Sequence, residues 1–270
     1  MNRIIACTLA LSALILAQWG CVPPGNEIKT DITLRLNDPD FQQITDFQDR
    51  QLNDSLYPYF RHADPTYRYV AARAFASIRD PRAIDSLATL LDDPVDEVRA
   101  AAAYAIGQTG DERAEQYLLR AFARQDTAGR YNTANRSILE AMGKLGGADK
   151  LSAMATVSTY QPNDTALLLG QAYGIYQYAL RGITAEEGTQ RMLELATDQV
   201  YPAQVRMIAA NYFSRTPDIE IGPEAGTRIA RALEQESDPQ VRMALVIGLG
   251  KARPAEYQNA LEELYRKESD

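Results

Sequence analysis

The chain repeats itself, and this constrains its fold more than any other feature. The segments DPTYRYVAARAFAS from Asp64, DPVDEVRAAAAYAIG from Asp93, PAQVRMIAANYFS from Pro202 and DPQVRMALVIGLG from Asp238 share one pattern. An aromatic residue or Val precedes an Arg. Small or apolar residues follow three and six positions later, and Ala, Gly or Ser eight later. Arg68, Arg99, Arg206 and Arg242 form one column, and Ala76, Gly107, Ser214 and Gly250 another. Asn135 with Gly143 makes a degenerate fifth copy. The stretch from Leu169 to Gln177 makes a weaker sixth, and successive spacings are 31, 36, 34, 37 and 36 residues. These are the periods of helical hairpins, which cannot bury an apolar face alone and depend on their neighbours.

Each copy alternates with a second helical segment: 81–91, 111–122, 148–158, 185–196, 223–235 and 254–267. In the first, Ile84, Leu87, Leu90 and Leu91 share one helix face. Asp-Pro pairs are read as helix starts, because Asp caps an orphan N–H and Pro presets φ. Ile32 to Leu36 is the only strand-like stretch. The expected fold is all-α, a solenoid of about six antiparallel helix pairs.

The first twenty residues read as an export signal. Arg3 is followed by a run of mostly apolar residues from Ile4 to Ala17, too short for a membrane span, and then by Gly20-Cys21. The ending resembles a bacterial lipoprotein signal, which implies lipidation of Cys21. The organisation read here is a signal peptide over 1–20, a tether over 21–40 and a solenoid over 41–270. The expected location is the bacterial cell envelope, lipid-anchored to a membrane and facing the periplasm or the surface.

At the repeats the chain resembles the HEAT-repeat family, in its phycobilisome-lyase-like bacterial form, from about Phe41 onward. The segments 93–110 and 238–250 carry that resemblance most specifically. It implies that the Arg-bearing helices line a concave face. It also implies that Arg68, Arg99, Arg206 and Arg242 form an internal ladder with loop acids such as Asp93 and Asp238. A second resemblance rests on FASIRDPRAIDSLATLL, AYAIGQTGDERAEQYLLRAF and GQAYGIYQYALRGITAEEGTQRM. These are similar to the repeat half of Bacteroidetes envelope proteins that carry a cyclophilin-type peptidyl-prolyl isomerase domain.

Composition narrows the chemistry. A net charge of -8 argues against nucleic acid as the main partner. With two Cys and one His, the usual four-ligand zinc arrangements and disulfide frameworks are out of reach. Deoxyhypusine hydroxylase, whose architecture this chain resembles, holds iron with His-Glu pairs, and none occurs here. His62 stands without a second His or a Cys to act with, so it reads as a loop residue. No catalytic residue, metal site or cofactor is expected.

Partner binding is the remaining expectation. Tyrosine clusters at 57–69 and 173–178, and Tyr favours interfaces. The position five after the column Arg holds Arg73, Tyr104, Glu140, Asn211 and Ile247, varied where its neighbours are small. Arg73, Tyr104, Tyr173, Asn211 and Tyr212 are therefore the candidate surface for a protein or peptide partner. The dense basic stretch from Arg61 to Arg82 is read as paired or solvated.

Overall fold

A computed structural model of the chain describes residues 30–123, 126, 128–157, 160–251, 262 and 266. The export signal with Cys21, and most of the segment 254–267, lie outside the described residues. Residues Asp31–Asp270 form one compact unit, distinct from Met1–Thr30, and the description below concerns that unit.

Thirteen helices follow one another: α1 (Pro39–Asp49), α2 (Asn53–Leu56), α3 (Pro65–Ile78), α4 (Ile84–Ala88), α5 (Asp96–Thr109), α6 (Glu115–Ala121), α7 (Asn132–Leu145), α8 (Ala148–Ala155), α9 (Thr165–Leu180), α10 (Glu186–Thr197), α11 (Ala203–Arg215), α12 (Pro223–Gln235) and α13 (Pro239–Lys251). Pairing them as α1/α3, α4/α5, α6/α7, α8/α9, α10/α11 and α12/α13 gives six hairpins, with α2 an extra turn in the first. Among the described residues there is no strand, and Ile32 to Leu36 is extended coil. Part of the stretch read as tether is already folded. Ile32 packs against the core, and the Thr33 N–H donates to Thr66 Oγ1 at 3.0 Å.

Local chemistry sets several helix starts. Asp38 accepts from the N–H groups of Asp40 and Phe41, and Asp64 from that of Thr66, with Pro at the first helical position. Such a cap contributes about 1 kcal/mol. Tyr67 donates to the same Asp38 carboxylate at 2.8 Å. That bond, with burial and nearby acids, pushes the phenol up to about 12. Asp93-Pro94 does not start a helix: α5 begins at Asp96. The Asp93 carboxylate is taken by the Val95 N–H and by Arg68 instead.

The second helices of the pairs stack at close range because their facing positions are small. A Cβ at Gly107 would lie 2.8 Å from Ala141 Cα, and one at Gly143 only 2.3 Å from the Gly174 carbonyl oxygen. Bulkier residues, including Leu87, Leu118, Leu151, Leu195 and Leu233, fill the layer between first and second helices. Close approach on one side and larger side chains on the other are consistent with the expectation that the second helices line an inner face.

Candidate partner-binding face

The column arginines hold the second helices to their own loops. Arg68 Nη1 donates to the His62 carbonyl at 2.8 Å, Arg99 Nη1 to that of Asp93 at 2.6 Å, and Arg242 Nη1 to that of Glu236 at 3.0 Å. Each acceptor lies six residues before its Arg. Arg206 reaches Tyr201 O, one residue nearer, at 2.5 Å.

The same arginines reach the following repeat. Arg68 forms a two-pronged pair with Asp93, at 2.6 and 2.8 Å. Arg206 does the same with Glu236, at 2.8 Å for both contacts. Arg99 instead donates to the Arg130 carbonyl at 2.7 Å and to Asp96 at 3.0 Å. Asp238 is therefore not the rung; its carboxylate caps α13 through the Gln240 and Val241 N–H groups. Counted back from the Arg, Glu236 is the equivalent of Asp93, whereas Asp238 is the equivalent of Val95. Burial pulls the Glu236 carboxyl up. Its bonds from Arg206, the Asp238 N–H and Gln199 outweigh this and hold it below the ordinary glutamate value.

His62 occupies that same position in the first repeat. Its Nδ1 accepts the Asp64 N–H at 3.0 Å, as Asp93 accepts from Val95 and Glu236 from Asp238. The sixth copy is centred on Gln171, not Leu169. Buried Gln171 donates to Met154 O and Val157 O, and its own carbonyl receives Arg191 Nε at 3.0 Å. The spacings on either side become 36 and 35 residues.

This register decides which residues sit on the inner face. The row five after the column residue is Arg73, Tyr104, Glu140, Tyr176, Asn211 and Ile247. Arg73 and Ile247 are exposed and the other four partly so. Arg73 lies over the Tyr104 ring at 4.6 Å from its centroid, and Lys144 over the same ring at 5.0 Å. Tyr173 falls three residues short of the row, which Tyr176 occupies; both are partly exposed and pack against the core. Tyr212 is 1% exposed and its hydroxyl shares a 2.7 Å hydrogen bond with Thr189. It is a core residue and offers no partner a surface. In the first tyrosine cluster, Tyr57 stacks on Phe75 at 5.4 Å, so part of that cluster is packing too.

A second set of contacts went unread in the sequence. Arg181 donates to the Gly143 and Gly146 carbonyls, and Lys251 to that of Thr216. A cation at the end of one second helix thus satisfies the last carbonyls of the helix before it, where the dipole favours positive charge. A hollow of about 470 Å³ between α6, α7 and α8 is lined by Phe122, Ile138, Met142 and Val157. Its one cation, Lys150, is already paired with Asp149 and Glu115. Among the described residues no group of three or more His, Cys, Asp or Glu could hold a metal ion.

Comparison with known proteins agrees with the repeat. The family described as HEAT repeats matches residues 53–138. No curated protein matches. Among solved structures, the complex of CpcE and CpcF of phycocyanin lyase from Nostoc sp. PCC7120 is similar. The identity is 16%, over 83% of this chain and 97% of that one, with a TM-score of 0.48. The chain has an all-α, HEAT-like fold of helix pairs.

Proposed function

We propose that the protein is a non-catalytic scaffold, tethered to an envelope membrane through lipid on Cys21, whose inner face binds a segment of a partner protein. The row from Arg73 to Ile247 carries this reading. Its side chains change from cation to aromatic to acid to aromatic to amide to aliphatic, on helices whose facing positions are held small by stacking. A chemically varied row on a regular frame is what selective recognition requires. Anchoring is supported by the Gly20-Cys21 signal pattern. Among the described residues no helix is long and apolar enough to cross a membrane.

The test is a crosslinking pull-down from membranes, comparing wild type with Tyr104→Ala/Asn211→Ala and with Cys21→Ser. The double variant should lose the crosslinked partner, and Cys21→Ser should leave the membrane fraction; retention of the partner by the double variant would overturn the face. Against this stands the reading that the repeats belong to a cyclophilin-type isomerase system. Purified chain should show no prolyl-peptide isomerisation, and measurable turnover would refute the non-catalytic assignment.

A further inference from the structure

We propose that Arg73 and Lys144, which share the ring of Tyr104, form with Arg79 a receptor for the carboxylates of an acidic segment of the partner protein. This rests on the inner-face reading above and adds the chemistry of what that face receives.

The three cations differ from the ladder and loop arginines in their partners. Arg68, Arg82, Arg99, Arg113 and Arg206 each sit on a carboxylate. Arg73, Arg79 and Lys144 have none among the described residues, and Arg73 and Lys144 share the π-face of Tyr104 instead. The acid in the neighbourhood, Glu140, is already bonded to Arg136 at 2.9 Å. Burial lowers the Lys144 ammonium below its ordinary value; attraction to Glu140 offsets part of this, and repulsion from Arg79 adds a smaller push in the same direction as burial. The site carries uncompensated positive charge on a chain whose net charge is -8.

Arg79 supplies an independent argument from the backbone. It ends α3 in the left-handed region, at φ 57. The equivalent positions in the second and fourth repeats are Gly110 at φ 65 and Gly182 at φ 77. Glycine adopts this conformation without a Cβ penalty, so packing alone favours glycine here. An arginine at this place strains the backbone and adds a third cation whose charge is felt at Lys144. Guanidinium groups match carboxylates through two parallel hydrogen bonds, and a positive patch on an acidic protein selects for acidic partners.

The experiment uses the purified full chain and a fluorescein-labelled hexaglutamate peptide read by anisotropy, with hexaserine and a single-stranded oligothymidylate for comparison. Hexaglutamate should bind most tightly and weaken with added salt. Arg73→Glu should weaken it roughly tenfold or more, the loss expected from one charge-assisted pair. Arg79→Gly should melt at a higher temperature than wild type yet bind hexaglutamate less well, opposite signs that a purely structural arginine would not give. Unchanged affinity in both variants, or tighter binding of oligothymidylate than of hexaglutamate, would overturn the proposal. A photocrosslinker at Asn211, compared with one at exposed Gln190 on α10, separates the two readings. Crosslinking to a membrane protein from Asn211 alone, without hexaglutamate binding, sinks the acidic chemistry and leaves the inner face standing. Equal crosslinking from both positions sinks the inner face as well.

Discussion

Removing Arg206 tests the ladder most directly. Its partner Glu236 has a side chain 0% exposed, against 8% for Arg206, and the two contacts between them are each 2.8 Å. Arg206→Ala leaves a buried carboxylate without its counter-charge, which costs about 3–5 kcal/mol. For a protein of this size that lowers Tm by about 6–20 °C, at roughly 2–4 °C per kcal/mol. Urea unfolding followed by far-UV circular dichroism measures the loss. Arg206→Met/Glu236→Leu should recover most of it, since a packed apolar pair replaces the ion pair at little net cost.

The pH dependence gives the sign of the effect. In wild type the folded Glu236 value lies below the ordinary one. Its stabilisation is therefore full above the ordinary glutamate range and is lost as pH falls through the folded value. In Arg206→Ala, burial dominates and the folded value rises, so protonation favours the folded variant. The gap between the two proteins should be widest near about pH 7 and shrink toward about pH 4. A loss within about 1 kcal/mol, as for an exposed pair such as Arg113–Asp111, or a gap that ignores pH, would refute the reasoning.

Two further outcomes follow from the packing and the loops. Gly143→Ala should destabilise by about 1–3 kcal/mol, because its Cβ meets backbone atoms of α9 that cannot swing aside. Gly250→Ala, with nothing within 4 Å, should instead stabilise by about 0.5 kcal/mol through helix propensity; equal shifts from both would count against the stacking geometry. His62→Asp keeps an acceptor for the Asp64 N–H and should change stability by less than about 0.5 kcal/mol. Asp93→His removes the buried partner of Arg68 and should cost about 3 kcal/mol or more, so comparable thermal shifts from this pair would show that the two positions are not as different as described.

The stacking was legible in the sequence because its steric demand recurs in every copy: Gly107 and Gly143 sit in one column and both meet the next helix. The ladder was legible only in part. Asp64-Pro65 and Asp93-Pro94 look alike in one dimension, but the second lies two residues further from its Arg, and counting from the Asp-Pro pair hid Glu236 behind Asp238. Gln171 escaped because its guanidinium comes from another helix, in Arg191, and a linear pattern does not show a function divided between two helices. That slip left the row without a member in this copy, and Tyr173 came from the tyrosine cluster in place of Tyr176. Tyr212 was misplaced for a different reason: its neighbour Asn211 faces outward, but one residue further round the helix lies the core. Arg79 was invisible as special until the backbone angle set it beside Gly110 and Gly182.

His62 gives the stack a direction. An arginine in one repeat pairs with an acid supplied by the repeat after it, and the first repeat, with no second helix before it among the described residues, has an imidazole where that acid belongs. The hairpins are therefore modules with unlike ends. The second unit carries both an acid to receive, Asp93, and an arginine to give, Arg99, so a tandem copy of it would bring the two together. The first unit moved inward would set a histidine ring against a guanidinium that has nowhere to place its hydrogen bonds. Recombination within such a gene is thus chemically polarised, and lengthening of the array is favoured from its interior.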